Sequence, residues 1–457
     1  MRRQNNTIDL QGLKKELLNS NKVNDKWESY SCTLVTPMYG GGVKAGEVDK
    51  DMPIRASAIR GQLRFWWRIA CGPEDPKELF EKETEIWGGI GEKEAKASRV
   101  EIRVSNVKFK GEVPAFEYER NHKDPSKYKS VPKPDPKFGH AYVLFSAQGK
   151  LIDRGTKIGD EPIKIAKPDL CFDLEVRYKI YDKKPLSQEQ ICEVNEAIRW
   201  WASFGGIGSR TRRGLGAIQV IASKTAKKIT PVKEFEVNAK GGKLVLVAEA
   251  QTDDAIKCWR LGCDKLRDFR QGKNIGRNPP KADSKSPAGQ SFWPEADSIR
   301  NLSGDWSNAH KPKIQTTNLF PRSAFGLPII FHFQQPKESS TSEPQDHTIG
   351  VSGKDNERLA SPLILRPYLD ESGKWLPAAL LLPKWESALT QQLEIKNLNK
   401  LPKRKNNNYS QLPTYWPTDN NERKTLAKNI KPMVGKDGQL RANDPLSAFL
   451  DFFEKGQ

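Results

Sequence analysis

"LSQEQICEVNEAIRWWASFGGIGSRTRRGLGAIQVIA", residues 186–222, reads as a helix, a turn crowded with glycine and a strand, in that order. Ser187 followed by Gln190 is a capping-box pattern. Ile191, Val194, Ile198 and Trp201 then recur at helical spacing. Residues 205–216 hold five glycines and three arginines. No regular element favours that, because each glycine costs up to about 1 kcal/mol against alanine. "GAIQVIA" (216–222) closes the stretch as a strand.

Outward from this point the pattern continues. "CFDLEVRYKIY" (171–181) alternates strictly, with Phe172, Leu174, Val176, Tyr178 and Ile180 on one face of a strand. Further strands are expected at 30–37, 99–109 and 140–147, and a helix over 53–71 with Pro53 in its first turn. Strand, helix, strands, helix, strand is a split β-α-β arrangement of the ferredoxin-like or RRM-like kind, so the fold class is α+β. A second unit begins near "KLVLVAEAQ" (243–251), with a helix in 253–270 and apolar runs at 319–333, 359–369 and 375–383. The domain division is a polar leader (1–26), a first unit (27–225) and a second (226–457). "PRSAFGLPIIFHF" faintly echoes "IRASAIRGQLRFWW", hinting at duplication. Residues 119–137, 271–290, 334–357 and 396–440, rich in Pro, Lys, Asn or Ser, read as exposed insertions.

The chain has 457 residues and a net charge of +19. Residues 1–225 hold 40 basic against 31 acidic side chains and the remainder 36 against 26, so the excess is spread through the molecule and favours a polyanionic partner. The N-terminus lacks the apolar core of a signal peptide, and no apolar run approaches the ~18 residues of a membrane helix; a cytoplasmic location is expected. The scattered cysteines and the five histidines give no metal-ligand spacing. Neither a metal nor a cofactor is expected.

The glycine loop is not a familiar phosphate cradle. Gly208 is followed five residues later by Arg213, with no Lys-Ser/Thr pair, and Thr211 stands where a dinucleotide motif needs its third glycine. What remains is bare backbone with guanidiniums that can grip phosphates, aided by Ser209 and Thr211; the alternative is a turn whose arginines pair with the protein's own acids. The helix over 53–71 has a narrow polar stripe of Ser57, Arg60, Gly61, Arg64 and Arg68, with no acid between Asp51 and Glu74. Either a bound phosphate backbone or acids from distant segments would offset it. Trp66 reads as core; Trp67, on the stripe's border, is either core or a base-stacking ring. "TPMYGGGVKAG" (36–46), with Lys44, is a second glycine-rich loop that the topology brings to the same surface.

"TPMYGGG…MPIRASAIRGQLRFWWR", "GGIGSRTRRGLGAIQV", "SFWPEADSIR" and "FPRSAFGLPIIFHF…RLASPLILRP" together resemble the RAMP superfamily of CRISPR proteins, most closely the first RAMP subunits of type III-B Cmr effector complexes. The resemblance implies two ferredoxin-like (RRM-like) RAMP domains with long insertions. It implies a non-catalytic RNA-binding subunit that handles the guide RNA's 3′ region and the matching target RNA beside other Cmr-complex subunits. The family's glycine loop falls on Gly205, Gly206, Gly208, Arg210, Thr211, Arg212, Arg213, Gly214 and Gly216, and its helix motif on Arg55, Ser57, Arg60, Gly61 and Arg64. The alternative is a metal-independent endoribonuclease processing guide RNA, for which His140 is the one histidine near the family's core.

Overall fold

The computed structural model describes residues 11, 27–90, 95–133, 138–179, 185–278, 289–305, 307, 318–333, 343–353, 358–397, 409–412 and 416–457. The leader expected at 1–26 therefore lies outside the described residues, apart from Gln11.

The first sheet is built from β1 (Glu28–Leu34), β2 (Val100–Lys108), β3 (Cys171–Tyr178) and β4 (Ile218–Ala222). Its order is β4-β1-β3-β2 and every pairing is antiparallel. Helix α1 (Ala56–Ala70) joins β1 to β2, and α3 (Gln188–Phe204) joins β3 to β4, which is the split β-α-β order. Alternation does the sorting: Tyr30, Cys32, Leu34, Phe172, Leu174 and Val176 are buried beneath the two helices. Trp66, Trp67, Trp200 and Trp201 fill the space between sheet and helices. The capping box at the start of α3 is present: Gln190 N donates to Ser187 Oγ (3.1 Å), and Ser187 N donates to Gln190 Oε1 (3.0 Å).

Between α1 and β2 stands α2 (Pro76–Trp87), which the sequence reading overlooks. Asp75 caps it by accepting from Glu78 N, with Pro76 in the first turn. The long segment between β2 and β3 folds over its own small core, in which Val113, Phe116, Leu144 and Ile165 meet Tyr39, Leu215 and Trp259.

The second sheet has β5 (Lys243–Leu246), β6 (Leu363–Leu369) and β7 (Trp375–Leu381), in the order β5-β7-β6. Helix α4 (Ala255–Gln271) lies between β5 and β6, and α5 (Pro445–Lys455) follows β7. Both faces of this sheet are covered. Leu363, Leu365, Ala379 and Leu381 pack with Leu266, Phe269 and Phe449 of its own helices, while Ile364, Tyr368, Leu376, Ala378 and Leu380 join the core of the first unit. Two-sided burial explains why these strands read as unbroken apolar runs.

Several expectations are corrected. Residues 140–147 form turns and a 3-10 turn (Phe145–Ala147), not a strand. The 53–71 helix starts at Ala56, with Arg55 at its N-cap, so Pro53 precedes the first turn. Residues 321–325 form a 3-10 turn and 329–331 a short strand, so the echo of α1 does not extend to structure. The supposed insertions contribute structure wherever they are described: a hairpin (Phe116–Asn121 with Asp124–Pro132), a buried strand (His347–Val351), and core positions Trp416, Ile430 and Met433. A few apolar residues at the right positions outweigh the polar composition around them.

Candidate nucleic-acid interface

The two glycine loops, expected on one surface, are laced together. Ser209 N donates to Tyr39 O (2.7 Å) and Gly216 N to Pro37 O (2.9 Å). Thr36 Oγ1 donates to Gly214 O (2.7 Å) and accepts from Ala217 N (2.8 Å). That density of main-chain bonding explains the glycines. A Cβ at Gly216 (φ +69) would lie 1.8 Å from Ile207 O, and one at Gly214 (φ +74) would strike Trp259 Cδ1 and Leu365 O. Gly205 abuts Trp201 and Trp66, Gly206 abuts Gly216, and Gly208 abuts Met38 and Tyr39. What comes close to this backbone is therefore the protein itself. Gly61 differs: it is exposed on α1, and its missing Cβ faces nothing within 4 Å.

The loop arginines are held by carbonyls. Arg210 donates to Val143 O (3.0 Å) and Ser146 Oγ (3.1 Å), with the Phe145 ring 4.8 Å away. Arg212 donates to Ser361 O and lies 5.8 Å from the ring of Phe65, which places it beside α1. Arg213 donates to Leu363 O and Phe325 O (both 3.0 Å). Arg366, on β6, donates to Gly205 O (2.6 Å) and Ile218 O (3.0 Å). None of the four has a carboxylate partner among the described residues. Neutral oxygen acceptors take these N–H groups and leave the positive charge uncancelled. Burial pulls Arg210 and Arg212 below the usual guanidinium range, Arg213 to about 10 and Arg366 to about 9. Ser209 is exposed and Thr211 half-buried at the outer edge of the loop.

The arginine stripe of α1 is only partly free: of the two ways of offsetting it, an acid from a distant segment meets two of its arginines. Arg64 bonds Glu83 at 2.7 Å, and Arg68 grips the same carboxylate through two bonds of 2.7 and 2.6 Å. Glu83 comes from α2, so the offsetting acid is invisible until that helix is recognised; the Asp75-Pro76 pair is the sequence signal that could have revealed it. Arg55 pairs with Asp49 at 3.4 Å. Arg60 donates to Trp87 O (3.1 Å) at the C-terminus of α2, with no carboxylate partner among the described residues. Ser57 is exposed beside it, and Lys44 is exposed on its loop with Glu47 3.9 Å away. Trp67 is corrected to a core residue: it is fully buried, and its Nε1 donates to Glu193 (2.9 Å), so no base can reach it.

Residues 31–219 match the family model of the RAMP superfamily. The matched segment begins in β1 and ends in β4, so it spans both glycine loops and the arginine helix. No curated protein matches the sequence. Among solved structures the chain is similar to a chain from a type III-B Cmr-beta complex bound to cognate target RNA, at 11% identity and a TM-score of 0.39. It is also similar to one from the same kind of complex with AMPPnP, in state 2 and in the presence of ssDNA, at 13% identity and a TM-score of 0.35. Each likeness covers 78% of this chain and 95% of the other.

The open face of the first sheet contrasts with the loops. Arg103 is bidentate to Glu175 (2.7 and 2.8 Å), and Arg177 and Lys179 share Glu101. These three cations are neutralised in place. His140 is buried, with Nε2 3.2 Å from Asp264 and Nδ1 without a partner among the described residues.

Proposed function

We propose that this chain is a non-catalytic RNA-binding subunit of a type III-B CRISPR ribonucleoprotein, built from two ferredoxin-like units. It grips the 3′ region of a guide RNA, together with paired or incoming target RNA, beside neighbouring Cmr-complex subunits. The observation that carries this reading is the set of guanidiniums without carboxylates, Arg60, Arg210 and Arg212, around two laced glycine loops in a RAMP domain. Their fields reach the exposed backbone at Gly208 and Ser209 and the open flank of Gly61. The second sheet, ordered like three of the four ferredoxin strands, supports the two-unit architecture. The sealed environment of His140 supports a role without cleavage.

The test is a salt titration of single-stranded RNA binding to the full chain. Each phosphate contact contributes about 0.7 to the log–log salt slope for single strands, so removing both Lys44 and Arg60 (K44Q with R60Q) should flatten the slope by about 1.4 and weaken binding. Unchanged slope and affinity in a normally folded variant overturn the assignment. Labelled guide RNA should survive incubation with the chain in EDTA; cuts that depend on His140 would overturn the non-catalytic role.

A further inference from the structure

Three phenylalanines are exposed among the described residues: Phe80, Phe145 and Phe235. Of these, Phe145 alone has a guanidinium against its ring, that of Arg210, 4.8 Å from the centroid. The residue is 62% exposed, although its neighbours Leu144 and Ala147 are fully buried. Packing at those two positions fixes the backbone of the 3-10 turn. Arg210 fastens it further through Val143 O and Ser146 Oγ, and Tyr39 Oη lies 3.0 Å from the same Ser146 Oγ. The turn thus presents an aromatic ring outward, at the edge of the glycine loop where Ser209 is exposed.

We infer that Phe145 is a stacking platform for an unpaired nucleobase of single-stranded RNA, with Arg210 fixing the ring and biasing the strand's phosphates toward it. This rests on the RNA-binding reading above and deepens it. A rigid aromatic beside an uncancelled cation is the arrangement that unpaired bases recognise, because every base offers a π-face and every linkage a negative charge. Arg210 has no carboxylate partner among the described residues, so its charge is available to that end. A protein-docking role would call for a contiguous apolar patch, and here Ser146 beside the ring is polar and exposed.

The experiment is anisotropy titration of fluorescein-labelled oligouridine against the full chain, its F145A variant and its F145W variant over a salt series. F145A should weaken binding about 5- to 150-fold, the range expected for one stacked base, with the salt slope unchanged; F145W should restore affinity. Crosslinks from 5-iodouridine should map to residues 141–149. If the parent chain binds with the expected salt dependence and F145A binds equally well, the stacking site is overturned and the RNA-binding reading stands. If the parent chain does not bind, both fall. If F145A binds RNA normally but fails to assemble with the other subunits, Phe145 is a protein contact and the inference is overturned.

Discussion

Gly61 and Gly216 show how one residue type answers two different demands. Gly216 adopts a left-handed conformation with the Ile207 carbonyl, from the start of the same loop, against it. Alanine there should destabilise the fold by about 1–3 kcal/mol through backbone strain alone, with the collision at Ile207 O adding to it. Gly61 lies on the exposed side of α1 with open space beyond it. Alanine there should raise stability by about 0.5–1 kcal/mol, because glycine is a poor helix residue. If an RNA backbone runs along α1, the same substitution lowers RNA affinity. Urea unfolding read beside RNA titration separates the two effects. A Gly61→Ala chain that is stabilised and binds unchanged would show that no phosphate approaches there.

At the scale of elements, α2 governs how much of α1's charge faces outward. Burial alone raises the Glu83 carboxyl, but hydrogen bonds from Arg68 and Arg64 outweigh it and hold the group below its ordinary value of 4.5. A depressed carboxylate stabilises the fold fully above the unfolded value near 4.5, and that contribution fades as pH falls through the folded value. Glu83→Gln should therefore lose stability at neutral pH, on the order of 1–2 kcal/mol given the half-exposed arginines. The gap between variant and parent should narrow below pH 4.5. A gap independent of pH would show that the ion cluster is not its source. The same variant frees two guanidiniums beside Arg60, so its RNA affinity should rise if α1 faces the strand.

For the whole molecule, the decisive feature is that the second sheet lies against the first unit. Arg366 spans this junction, bonding Gly205 O and Ile218 O from β6. Tyr368 Oη donates to Val232 O nearby, and its ring stacks on Phe204. Arg366→Lys keeps a positive charge, but one ammonium cannot replace the planar fork. Leaving buried carbonyls unmet costs about 1–3 kcal/mol each, so the variant should be less stable by about 2–4 kcal/mol. It should also perturb the glycine loop, seen as faster amide exchange across residues 205–216. A loop that exchanges as in the parent would show that its shape does not depend on the second unit.

Local pattern alone determined the four strands and two helices of the first sheet, because alternation, helical spacing and a capping box are written in neighbouring residues. It also selected the two glycine loops and the arginine stripe as the segments to inspect. Only the tertiary structure decided which of those cations stay uncancelled. Glu83 reaches Arg64 and Arg68 through a helix with few apolar cues, Trp67 turns into the core, and Arg366 and Phe145 arrive from segments far along the chain. Charge compensation and burial are set by distance in space, and one-dimensional spacing does not encode which distant carboxylate, carbonyl or ring a side chain will meet.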